Sequence, residues 1–133
     1  MERDQFESLV AEAADNLPED FADLLENVEL VVEDIPSKGQ VKKMRLQNPL
    51  QLLGLYEGIP RTDRGTGYNL VLPDKITLFR KSIEAACRYS GRSIRDEVEA
   101  VLKHEIAHHF GIGDARLSEI EKEKRRKQRR KPG

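Results

Sequence analysis

Residues 93–114, SIRDEVEAVLKHEIAHHFGIGD, combine a regular apolar stripe with an unusual polar face. Ile94, Val98, Val101, Leu102, Ile106 and Phe110 recur at intervals of three and four, the spacing that gathers apolar side chains on one side of an α-helix. Ser93 and Asp96 supply an approximate capping box at its start, Asp standing in for the usual Glu or Gln. Gly111 ends it, because glycine enters the left-handed conformation without a Cβ penalty. All three histidines of the chain, His104, His108 and His109, fall within six positions of this helix.

Residues four apart on a helix differ by about 40° in azimuth and one turn in height, so His104 and His108 can aim two imidazoles at one point. A catalytic zinc takes three ligands from protein and keeps a fourth position open. The turn at Gly111 reverses the chain just after the second histidine and lets Asp114 return as the third ligand. Glu105 points about 100° away from His104, too short to join the metal comfortably but able to take a proton from a water that the metal polarises. The reaction class this implies is metal-assisted hydrolysis of an amide. The competing reading is a solvated helix surface with an ordinary glycine cap. His109, off the ligand face, reads as a structural histidine near the helix end, with a supporting role beside the metal or the oxyanion as the alternative.

Composition bounds what surrounds this helix. A chain of 133 residues, 35% charged and 38% hydrophobic, suits one soluble domain with a modest core. No apolar run is long enough to cross a membrane, and the start, MERDQFESLV, lacks the basic and apolar regions of a secretory signal. The cytoplasm is the expected location. Cys87, the single cysteine, excludes an internal disulfide and reads as a small buried hydrophobe. The net charge of −1 hides an asymmetry: residues 1–34 carry −11, residues 35–120 carry +4 and residues 121–133 carry +6. The ends could attract each other or a partner. Residues 122–131 could also contact a nucleic-acid backbone, but no aromatic residue is interleaved for base stacking, and a solvated helix end is preferred.

The remaining pattern is mixed. Residues 4–16 predict an amphipathic helix capped by Asp4, and LPEDFADLLEN a shorter one with Pro18 in its first turn. VELVVEDI reads as a strand over Val28–Ile35, followed by a polar connection, PSKGQVKKMRLQNP. LQLLGLYEGI reads as a second strand, PRTDRGTG as a loop, and YNLVLPDKITLFRKSI as one or two more strands running to Lys81. IEAACRY turns helical, and a last helix begins near Asp114. This order predicts an α+β domain, a small mixed sheet with helices packed on it.

HEIAHHFGIGDARL, with LLGLYEGIPRTDRG and VLPDKITLFRKSI upstream, resembles the small bacterial zincin-like metallopeptidases over about residues 50–120. The resemblance implies a minimal zincin-like fold with the HExxH helix beneath the sheet; chain length and composition predict one domain over residues 1–120 and a basic helix end or flexible tail over 121–133. It implies Zn2+ held by His104, His108 and Asp114, Glu105 as general base, a peptide or protein as substrate, and an edge strand that pairs with it. KITLFRKSI is the candidate for that strand, with a plain structural strand as the alternative. The sequence departs from larger metallopeptidases in its aspartate third ligand and in having no methionine after Asp114. Tyr56, Arg61, Arg64 and Tyr68 are candidate oxyanion helpers, and Glu119 a candidate partner for a ligand histidine. A zinc-stabilised binding module with little turnover is the alternative to a peptidase.

Overall fold

The structure is a computed structural model that describes residues 1–58 and 74–130, without the side chains of Asp114, Leu117, Lys124 and residues 127–130. The YNLVL part of the one or two further strands expected after the second, and the PRTDRGTG loop, therefore lie outside the described residues. Among the described residues six helices accompany three strands: α1 (Arg3–Asp15), α2 (Glu19–Leu24), β1 (Val28–Glu33), α3 (Lys38–Lys43), β2 (Gly54–Glu57), β3 (Asp74–Phe79), α4 (Arg80–Ser90), α5 (Ile94–Phe110) and α6 (Asp114–Arg130). The sheet order is β1-β3-β2, with β1 parallel and β2 antiparallel to β3. This is the expected mixed sheet in an α+β fold.

α5 is the central element. Val98, Leu102 and Ile106 are completely buried and meet Ile76 and Leu78 of β3 and Phe6 and Val10 of α1 in one core cluster. Each such side chain contributes about 1.5–3 kcal/mol relative to leaving it in water. Ser93 begins the helix as expected, its hydroxyl accepting from the Asp96 N–H at 3.1 Å. Phe110 departs from the predicted apolar face and stays 43% exposed: as the last residue of the helix it meets the sheet only edge-on, at the Tyr56 ring.

Several boundaries differ for identifiable reasons. α1 is capped by Glu2, whose N–H donates to Gln5 Oε1 at 3.2 Å, and Asp4 falls in the first turn, where its charge meets the helix dipole. Pro18 stands just before the first turn of α2. α3 lies inside the supposed connection: Ser37 and Gln40 form a reciprocal capping box at 2.9 and 3.1 Å, yet none of its residues is buried, so no apolar period marks it. The second strand shortens to Gly54–Glu57 because Asn48 caps a 3-10 turn over Pro49–Gln51. β3 ends at Phe79 and α4 starts at Arg80, whose guanidinium pairs with Asp34 at 3.0 Å while the Lys81 N–H donates to the Asp34 carbonyl. Arg80 and Lys81 therefore belong to a helix and not to the predicted strand.

β3 also occupies the middle of the sheet, paired on both sides. The candidacy of KITLFRKSI as a substrate-pairing edge fails for that reason, since its backbone groups are already taken by β1 and β2. The strand lying over α5 is β2, and Gly54 makes the approach possible: a Cβ there would stand 2.5 Å from Val101 Cγ1 and 3.3 Å from the Thr77 carbonyl. Overpacking of this kind costs about 1–3 kcal/mol. Gly54→Ala is expected to lose that much stability in urea unfolding; an unchanged midpoint would show that β2 does not press on α5.

Cys87 is 8% exposed, with Sγ 3.6 Å from the Ser93 carbonyl. Burial pushes its thiol above the ordinary value, Glu97 adds to the shift and Arg92 opposes it. The thiol is expected to resist alkylation at pH 8 in the folded chain and to react at once in denaturant; rapid labelling of the native protein would contradict that burial.

Candidate functional site

The last three turns of α5 carry the site. Glu105 faces β2, half-buried, with its Cγ within 3.7 Å of where a Gly54 side chain would begin. His104 and His108, flanking it on the helix, are exposed. Burial pushes the Glu105 carboxyl above its ordinary value, against smaller opposing pulls from the Tyr56 backbone N–H, His108 and His104. These causes place the two imidazoles and the carboxyl in one electrostatic neighbourhood. Neither imidazole hydrogen-bonds to another described residue, and both are exposed.

β2 explains how Tyr56 reaches Glu105. The Phe79 N–H donates to the Leu53 carbonyl at 2.9 Å, and Leu55 and Glu57 lie opposite Thr77 and Lys75. In an antiparallel pair the backbone groups alternate inward and outward, so those of Gly54 and Tyr56 point away from β3. There the Tyr56 N–H meets the Glu105 carboxylate. A recess of about 330 Å3 runs beside this contact, bordered by Leu53, Gly54, Glu97, Val101, His104 and Glu105.

His109 turns away from the two exposed imidazoles. Its ring stacks on Tyr56, with centroids 3.8 Å apart and planes inclined by 14°. Its Nε2 lies 3.9 Å from Asp74 Oδ2, which also accepts from the Tyr56 hydroxyl at 2.8 Å. His109 thus takes the packing role expected of it. The same arrangement sets the Tyr56 hydroxyl on Asp74, not over the imidazoles. Three elements, β2, β3 and α5, contribute one residue each to this group, so no spacing along the chain could have revealed it.

Gly111 closes α5 with φ 68° and ψ 31°, and the Ile112 N–H donates back to the Ala107 carbonyl at 2.8 Å. This is the left-handed cap that the sequence predicts. α6 then returns along α5, tied by Lys103 Nζ to Glu121 at 3.2 Å and by burial of Ile120. Asp114 is the first residue of α6, three beyond the turn, and its side chain lies outside the described residues. Among the described residues no group of three or more His, Cys, Asp or Glu side chains is arranged to hold a metal ion. Arg61, Arg64 and Tyr68 lie outside the described residues. Glu119 pairs with Arg116 on its own helix at 3.2 Å and is a solvent-facing residue. No helix among the described residues is long and apolar enough to cross a membrane.

Substituting Gly111 tests the turn that returns the chain toward the histidines. Gly111→Ala is expected to destabilise by about 1 kcal/mol, from the Cβ strain of a left-handed residue, and Gly111→Asn by less, since Asn tolerates that region. Equal stability of all three proteins in thermal unfolding would rule out the strained cap.

A family model described as zincin-like metallopeptidase matches residues 25–124. The match extends further toward the amino terminus than the resemblance carried by residues 50–120 and takes in β1. No curated protein matches the chain.

Proposed function

This chain belongs to the zincin-like metallopeptidases, and from that premise we propose that it hydrolyses peptide bonds with zinc held by His104, His108 and Asp114 and with Glu105 as general base. The observation that carries the proposal is the pair of exposed imidazoles one helical turn apart, flanking a half-buried carboxyl beneath β2. The donor set fits: two imidazoles and one carboxylate are ligands that zinc accepts, and they leave a position open. A zinc ion bound there would polarise a carbonyl and make water more acidic.

The chain's own groups supply the rest. A peptide can approach Glu105 through the recess bordered by Leu53, Gly54, His104 and Glu105. Glu105, beneath β2, accepts a proton from the attacking water and returns it to the amine nitrogen as the C–N bond breaks. The Tyr56 N–H and the close contact at Gly54 fix the carboxyl while it does so.

The test joins metal analysis to turnover. Protein purified without chelators is expected to hold one zinc per chain; Asp114→Ala should weaken zinc binding by about tenfold or more through loss of one ligand. Glu105→Gln should keep the metal while losing about 10²–10⁴ in hydrolysis of a mixed peptide library. Full activity of Glu105→Gln would overturn the assigned base. Zinc retention by the wild type without cleavage would instead support a metal-stabilised binding module.

A further inference from the structure

β1 forms the other border of the sheet: among the described residues it pairs with β3 alone. Which of its backbone groups turn outward follows from β3. The Phe79 N–H donates to the Leu53 carbonyl on the β2 side, so odd-numbered residues of β3 face β2 and even-numbered ones face β1. In a parallel ladder a residue that faces its neighbour bonds to the two residues flanking its partner. With Leu30 opposite Ile76 and Val32 opposite Leu78, the residues of β1 that bond to β3 are Glu29, Val31 and Glu33. Leu30 and Val32 therefore direct their backbone groups away from the sheet. Arg3 agrees with that direction, because its guanidinium donates from α1 to the Val32 carbonyl. The Leu30 N–H and carbonyl and the Val32 N–H have no partner among the described residues. Beside them, between α1 and β1, runs a recess of about 400 Å3 bordered by Glu7, Val10, Ala11, Leu30, Val31 and Val32.

Unpaired donors and acceptors along a strand edge receive a further strand, and charge selects which one. Val28, Leu30 and Val32 pack toward the core that α1 shares, so alternation sets Glu29, Val31 and Glu33 on the opposite face. Glu29 and Glu33 are exposed, and neither has an ion pair or hydrogen bond through its side chain among the described residues. An extended segment laid antiparallel, the more stable arrangement, sets two of its residues, four apart, directly opposite them. Lys or Arg at both places makes two opposite-charge cross-strand pairs, each worth up to about fivefold in affinity. The residues between them meet Leu30, Val31 and Val32 and gain from being apolar. A second copy of this chain fits less well, since it would bring an identical acidic strand, and the −11 of residues 1–34, against itself. We propose that the outer edge of β1 is a docking site for an extended segment of a partner protein, with two Lys or Arg four residues apart and apolar residues between them. β3 separates this edge from β2 and Glu105, so the site is independent of the peptidase reading.

One short peptide tests the edge. Fluorescein-labelled Ser-Lys-Val-Thr-Val-Lys-Ser would be titrated with the full-length Glu105→Gln chain, so that no turnover consumes it, and binding followed by polarisation. It should bind about tenfold tighter than the same peptide with Glu at both Lys positions. Methyl groups on the amide nitrogens of both Val residues, which meet Leu30 and Val32 in the antiparallel register, remove the pairing donors and should weaken binding about tenfold or more. A methyl group on the Thr amide points away from β1 and should change binding by less than about threefold. Adding Glu29→Gln and Glu33→Gln together alters two exposed side chains, so the fold is expected to survive, and binding of the Lys peptide should fall about threefold or more. No binding of the Lys peptide, equal binding of the Lys and Glu peptides, binding that survives methylation of both Val amides, or unchanged binding to the Gln variant would overturn the proposal. Sedimentation of the peptide-free chain as a dimer that the peptide splits would give the edge to a second copy and overturn it likewise.

Discussion

The contact between the backbone of β2 and the face of α5 is the constraint on which this molecule turns. Gly54 lets the strand settle so close that even one methyl group would collide with Val101. That closeness carries Glu105 partly under the strand, where water no longer fully solvates it, and brings its carboxyl to the Tyr56 N–H. Desolvation and the donated hydrogen bond push the carboxyl in opposite directions, and desolvation is the larger. A carboxyl on the opposite side of α5 would be an ordinary solvated glutamate.

The sheet order makes that N–H available. Among the described residues β3 takes the centre and pairs on both sides, and β2 turns its other edge toward the helix. Exposed edges invite pairing with any extended chain, and proteins limit the hazard by keeping them short or charged. β2 is four residues long and ends at Glu57, which pairs with Lys75 across the ladder at 3.8 Å. Glu105 occupies one outward donor itself. The side chain that meets this edge is the one assigned to move the proton.

Tyr56 links the two ends of this edge. Its main chain serves Glu105, while its ring and hydroxyl serve the His109–Asp74 group. Orientation of the strand end is therefore fixed by packing from α5 and by a hydrogen bond from β3 together. A small fold without room for separate supporting layers obtains rigidity by giving one residue contacts in three directions.

The sequence by itself determined the elements whose signals are local. The period of Val98, Leu102 and Ile106, the cap at Ser93 and the glycine stop at Gly111 all sit within one or two turns of the residues they control, so α5 and the four-residue separation of His104 and His108 could be read directly. α3 had its local signal too, in Ser37 and Gln40, but lacked a buried stripe to confirm it. Only the tertiary structure decided that β3 is central and β2 the edge, because strand order depends on long-range pairing that alternation within a strand does not encode. It likewise decided that Gly54 meets Val101 and that Tyr56, Asp74 and His109 converge from positions up to 53 residues apart. Such contacts exist only once burial of the α5 face has drawn separate elements onto one core.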